Sequence, residues 1–187
     1  MTEPVANGAA GLGQTIAQAE ATGFFQWFSL DASEGDTDAD WRGFRPSGPR
    51  FHDLVVLTLR LSADQCISAA RLDIDRSFIA EASIRPFARD IAQSFLGWIL
   101  PPDAQSAMQS EINAVGQFAD GESQVIAHRA AVVGRWNLTW GKRPKGDASS
   151  VFNGETASAT WQIGAIHVAF ENRRSGQLRI SVDGSTT

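Results

Sequence analysis

Apolar residues recur at every second position around short turns, and this alternation limits the fold more than any other feature. Val55, Leu57, Leu59 and Leu61 recur this way, and Cys66, Ser68, Ala70, Leu72 and Ile74 do so again after Ser62-Ala63-Asp64-Gln65. Side chains two residues apart share one face of a strand. A hairpin pairing Leu61 with Cys66, Leu59 with Ser68, Leu57 with Ala70 and Val55 with Leu72 therefore gathers the buried-type residues on one face. A one-residue slip would turn a strand inside out. The opposite face then shows Thr58, Arg60, Arg71, Asp73 and Asp75, with His52 opposite Asp75.

The C-terminal third repeats the pattern. Val132, Trp136, Leu138 and Trp140 share a face, as do Ala157, Ala159, Trp161 and Ile163. Gly164-Ala165 fits a two-residue turn with glycine first. It pairs Ile163 with Ile166, Trp161 with Val168 and Ala159 with Phe170. Leu178, Ile180 and Val182 follow the loop Asn172–Gly176 and fall opposite Phe170, Val168 and Ile166. The polar face shows Gln162, His167, Arg179 and Ser181, as expected of an antiparallel sheet wet on one side.

Between the two blocks the period changes from two to about 3.6. Ile84, Phe87, Ala88, Ile91, Phe95, Trp98 and Ile99 form a helical stripe after Ser83, a good N-cap, with Arg85, Arg89, Asp90 and Gln93 away from it. Pro101-Pro102 stops this helix. Ala104, Ala107, Met108, Ile112 and Val115 mark a second helix from Asp103. The expected fold is α+β: an antiparallel sheet of an N-terminal hairpin (about 53–75) and a C-terminal meander (about 131–183), with two helices (about 84–99 and 103–115) packed on one face.

The 187 residues suit a single domain, 1–187. Residues 1–11 read as a flexible tail. Gln14–Thr22 reads as a short helix stopped by Gly23, and Phe24–Phe28 as a buried strand or helix end. Residues 31–50 read as a long polar loop, with Asp31, Glu34, Asp36, Asp38 and Asp40 followed by Arg42, Arg45 and Arg50.

Composition narrows the function classes. The formal charge is −5, which disfavours a broad footprint on nucleic acid or anionic membrane. The polar N-terminus has no basic n-region, and no apolar run approaches a bilayer span of about 20 residues. The expected compartment is the cytoplasm. Lysine occurs only at Lys142 and Lys145, arginine is abundant and tyrosine is absent. That bias suggests GC-rich coding and a bacterial source. Cys66 is the one cysteine, so neither an intrachain disulfide nor a multi-thiolate zinc site can form. In the hairpin register it points to the core, as an inert thiol would.

No motif assigns a catalytic, metal or cofactor site. Asp36, Asp38 and Asp40 begin like a calcium loop, but Trp41 and Ser47 stand where glycine and glutamate are needed. Gly141–Gly146 lacks the spacing of a phosphate loop. The polar ligand candidates are His52, Arg71, Asp73 and Asp75 on the hairpin face, and Gln162, His167 and Arg179 on the meander face. Trp41, Arg42, Phe44 and Arg45 are the partner-binding candidates, because aromatics and arginines in a loop suit an interface anchor. The expectation is a non-enzymatic binding or interaction protein, such as a chaperone, adaptor, inhibitor or immunity-type factor. It acts on another protein, without cofactor. The alternative is a small-molecule-binding protein or hydrolase-like enzyme with a pocket between helices and sheet.

Overall fold

The computed structural model describes residues 11–38, 40–116 and 147–184. Its strands are β1 (Leu30–Asp38), β2 (Trp41–Pro46), β3 (Val55–Leu61), β4 (Ile67–Asp75), β5 (Ser158–Ile163), β6 (Ile166–Asn172) and β7 (Gln177–Gly184). They form one antiparallel sheet in the order β1-β2-β3-β4-β7-β6-β5. The helices are α1 (Ile16–Glu20), α2 (Gly23–Phe28), α3 (Arg76–Ala80), α4 (Arg85–Ile99), α5 (Pro102–Ala107), α6 (Gln109–Gly116) and α7 (Asp147–Phe152). The fold is α+β, as the alternation predicts. None of these helices is long and apolar enough to cross a membrane. The expected tail residues 1–10 and the expected strand of Val132, Trp136, Leu138 and Trp140 lie outside the described residues.

One face of the sheet makes the core. Val55, Leu57, Leu59, Ala70, Leu72, Ile74, Val168, Phe170, Leu178, Ile180 and Val182 are all buried there. Helix α4 supplies Ile91, Phe95, Leu96 and Ile99 to the same cluster, and α6 and α7 add Ile112, Val151 and Phe152. The aromatic run 24–28 is helix α2. Phe24 stacks on Trp98 with ring centroids 5.0 Å apart, and Phe25 meets Phe44 edge-on at 5.2 Å.

The β5–β6 register is the one the Gly164-Ala165 turn predicts: Ile163 with Ile166, Trp161 with Val168, Ala159 with Phe170. Two other registers differ from expectation by two residues. Leu57 pairs with Leu72 rather than Ala70, and Val168 with Val182 rather than Ile180. A two-residue shift preserves the face of every side chain, so burial alone cannot distinguish the two pairings. Near the β3–β4 turn Arg60 opposes Ala69 while Leu61 opposes Ile67, which leaves Ser68 as an extra residue. This bulge reverses the parity beyond it. Ile67, not Cys66, is therefore the buried residue, and Cys66 is only half-buried.

Residues 31–50 are not a loop: strands β1 and β2 occupy most of them. The edge strand β1 buries Leu30 and otherwise carries small or polar residues, so it lacks the alternation that marks a strand. Charged edges of this kind resist pairing with foreign strands. The helix expected over 103–115 is divided at Met108 into α5 and α6. Gly23 starts α2 instead of stopping α1. Ser83 is not the N-cap of α4; Ile84 holds that place, and the Ser83 hydroxyl donates to Glu81. Arg89 lies in the core rather than outside the α4 stripe, 7% exposed.

Gly11, expected in the tail, is pinned to α4. Its N–H donates to the carbonyl of Trp98 at 2.8 Å. A Cβ there would stand 2.8 Å from Trp98 Cε2 and 3.0 Å from Ile99 Cα. Gly11→Ala should therefore lower the urea midpoint, at a cost of about 1–3 kcal/mol. Gly48→Ala, where a Cβ meets nothing within 4 Å, should stay within about 0.5 kcal/mol of the parent. Equal midpoints would remove Gly11 from this packing.

Candidate functional site

Because β4 pairs with β7, the polar faces of the hairpin and the meander become one surface. Three rows run across its strands. The first joins Trp41, Arg60, Ala69, Asp183, His167 and Gln162. The next joins Ser33, Gly43, Thr58, Arg71, Ser181, Ala169 and Thr160. The third joins Val56, Asp73, Arg179, Glu171 and Ser158. Arg71 is the only large side chain of the middle row, with small neighbours on either side.

Ion pairs flank Arg71 on both rows. Arg179 grips Asp73 with two hydrogen bonds, Nε to Oδ1 at 2.8 Å and Nη2 to Oδ2 at 3.0 Å. Asp73 is only 7% exposed, so the fork–fork geometry compensates for its lost hydration. Arg60 Nη2 donates to Asp183 at 2.8 Å. Arg71 has no such acceptor among the described residues. Its guanidinium carbon lies 3.8 Å from the centroid of the Trp41 ring, while that of Arg60 lies 5.7 Å from it. Stacking on tryptophan holds the guanidinium plane while leaving its N–H fork unengaged.

Electrostatics distinguish the two central arginines. Arg71 is held below the ordinary arginine range, first by burial and next by repulsion from Arg179, with Arg60 adding to it against attraction from Asp73 and Asp183. Arg179 is raised, chiefly by its hydrogen bond to Asp73 and despite its own burial. Both remain cationic at neutral pH, but of the two only Arg71 carries its charge without a bonded counter-ion among the described residues. An anion arriving above Arg71 would relieve that imbalance.

The sequence-predicted residues divide accordingly. Trp41, Arg71, Asp73 and Arg179 come together, joined by Arg60 and Asp183. His167 and Gln162 lie on the same face toward the β5 side, but the Gln162 amide donates to the carbonyl of Gly164 at 2.8 Å and closes the hairpin turn. His52 does not face Asp75. The two-residue register shift brings Leu54 there, and the N–H of Asp75 donates to the Leu54 carbonyl at 2.8 Å. Asp75 instead caps α3 through the N–H of Ser77, and His52 Nδ1 lies 3.1 Å from its neighbour Asp53. Phe44 is no partner anchor: it is 2% exposed and packs in the core. Arg42 is exposed but follows Trp41 along β2, so it points to the other side of the sheet. Arg45 Nη1 donates to the carbonyl of His52 at 2.9 Å and steadies the β2–β3 connection.

Sequence reasoning missed Asp183, whose role appears only once β7 lies beside β4. It also missed Trp27, which at 56% exposure is the exposed large apolar side chain among the described residues. The chain matches no protein-family model, no curated protein and no solved structure.

Breaking the central pair should be costly, because Asp73 would keep a buried charge without its partner. Arg179→Gln is expected to destabilise by about 2–5 kcal/mol. The double variant with Asp73→Asn should recover a large part of that loss, read from a double-mutant cycle in urea. Strict additivity would mean that the two groups act independently.

Proposed function

We propose that the protein is a non-enzymatic binding protein whose polar sheet face takes an acidic segment of a partner protein. The supporting observation is Arg71, set over the Trp41 ring, without a hydrogen-bond acceptor among the described residues and placed between two ion pairs that already neutralise themselves. A planar guanidinium in this state suits a carboxylate better than a lysine would, because its fork is pre-oriented. The reading covers a chaperone, adaptor, inhibitor or immunity-type role.

The size of the surface favours a macromolecular partner. Seven strands spaced about 4.8 Å apart span roughly 29 Å, and strands of about seven residues run roughly 23 Å. The product is on the order of 700 Å2, close to the roughly 800 Å2 that each side of an ordinary protein interface contributes. The small residues of the middle row make a shallow track on either side of Arg71, where an extended acidic chain could lie.

Native purification from the source, followed by mass spectrometry, tests this reading when parent, Arg71→Glu and Arg42→Glu are run together. A partner should copurify with the parent and with Arg42→Glu, whose side chain points away from the face. It should be lost, by at least tenfold, with Arg71→Glu. Capture that is unchanged in Arg71→Glu would overturn the role of this face.

A further inference from the structure

We propose that an apolar pocket between α2, the β2–β3 connection, α3 and α4 is a binding site for a neutral, planar ring compound. It lies on the helix-covered side of the sheet and rests on none of the residues around Arg71. Val55, Phe78 and Ile91 form its buried floor, Phe28 and Phe51 its half-buried walls, and Trp27 its exposed rim. No side chain in the lining is ionisable.

The walls are braced before any ligand arrives. Phe51 stacks on Phe78 with ring centroids 5.4 Å apart. Phe28 leans on Phe24 at 5.5 Å, and Phe24 in turn stacks on Trp98. The connection that carries Phe51 is closed by its own hydrogen bonds. The N–H groups of Phe51 and His52 both donate to the Gly48 carbonyl, at 3.0 and 3.1 Å, and that of Leu54 donates to the Phe51 carbonyl at 3.0 Å. Ser29 ends α2 in the left-handed region, with φ 47°. Its carbonyl accepts from the N–H of Ser47 at 2.9 Å, which ties the end of α2 to the end of β2. A pocket held open in this way spares a ligand the cost of ordering it.

Size and chemistry decide the occupant. The volume is about 210 Å3, below the roughly 300–1,000 Å3 usual for drug-sized ligands. A cube of that volume is about 6 Å on a side, narrower than an α-helix with its side chains, at about 10 Å. One ring system fits, since an apolar cavity of about 150 Å3 takes benzene. The carbonyls of Ser29 and Gly48 already accept hydrogen bonds, so water in the pocket finds few partners and an apolar ligand gains by displacing it. A charged ligand would lose hydration with no opposite charge in the lining to meet it. Core packing accounts for Val55, Phe78 and Ile91. It does not account for Trp27, left 56% exposed beside the opening, where its ring extends the apolar surface over a bound one.

Isothermal titration with indole tests the site, with benzoate and N-acetylphenylalanine amide run beside it. Saturable single-site binding of indole is expected, with benzoate binding at least tenfold more weakly. Trp27→Ala should weaken indole by about fivefold. With the tryptophans replaced by fluorotryptophan, the fluorine resonance that disappears in Trp27→Ala should be the one that moves as indole is added. Absence of saturable indole binding would overturn the proposal, as would benzoate binding as tightly as indole. Indole binding that leaves the Trp27 resonance in place would also overturn it, by moving the ligand elsewhere. Tighter binding of N-acetylphenylalanine amide than of indole would do so too, by making the pocket a socket for a partner's side chain.

Discussion

The ladder between β4 and β7 is the interaction on which the rest of the structure depends. It runs from Ala69 opposite Asp183 to Asp75 opposite Gln177 and joins segments more than a hundred residues apart in the chain, as the separation of 106 between Asp73 and Arg179 shows. Closing a loop of that length costs about 4 kcal/mol in the logarithmic term alone. The ladder buries Leu72, Ile74, Leu178, Ile180 and Val182 on its inner face, each contributing roughly 1.5–3 kcal/mol. Hydrophobic burial therefore outweighs closure, and hydrogen bonding need not supply the difference. The outer face of the same ladder carries the Asp73–Arg179 pair, which makes one register more favourable than its neighbours.

That division of labour explains what is legible in the sequence. Alternation reports which face a side chain occupies, so the residues of β3 to β7, Ile67 beyond the bulge apart, sort into an inner and an outer set by their spacing. It reports nothing about a shift of two residues, because such a shift exchanges Leu for Ala or Val for Ile on the same face. Only turn chemistry fixes the pairing. Gly164-Ala165 states its turn plainly and leads to the correct register. The β3–β4 turn hides a bulge at Ser68, which no residue in Ser62–Gln65 announces. The edge strand β1 escapes because Leu30 is the one large apolar residue in its sequence, which leaves no pattern to count.

The candidate site inherits the same limits. Parity alone puts Arg71, Asp73 and Arg179 on polar faces, but only the β4–β7 pairing makes those two faces one. The expected pairing of His52 with Asp75 depends on the register itself, and it fails with it. Phe44 and Trp41 illustrate the remaining ambiguity. They lie three residues apart in a strand, one in the core and the other under an arginine, and polar surroundings in the sequence conceal the difference. The cleft lined by Arg76, Arg85 and Arg89 is less legible still, because α3, α4 and the turn after α7 come from three separated segments and each arginine alone looks like surface.

The arginines of the sheet face differ in how their charge is met, and that difference bears on what the surface can recognise. On the sheet face, carboxylates answer two of the three cations, so the surface is close to neutral and its pull on an anion falls on Arg71 alone. Such a surface discriminates by geometry more than by attraction. An extended acidic chain gains most on such a face, where contact can spread along the strands.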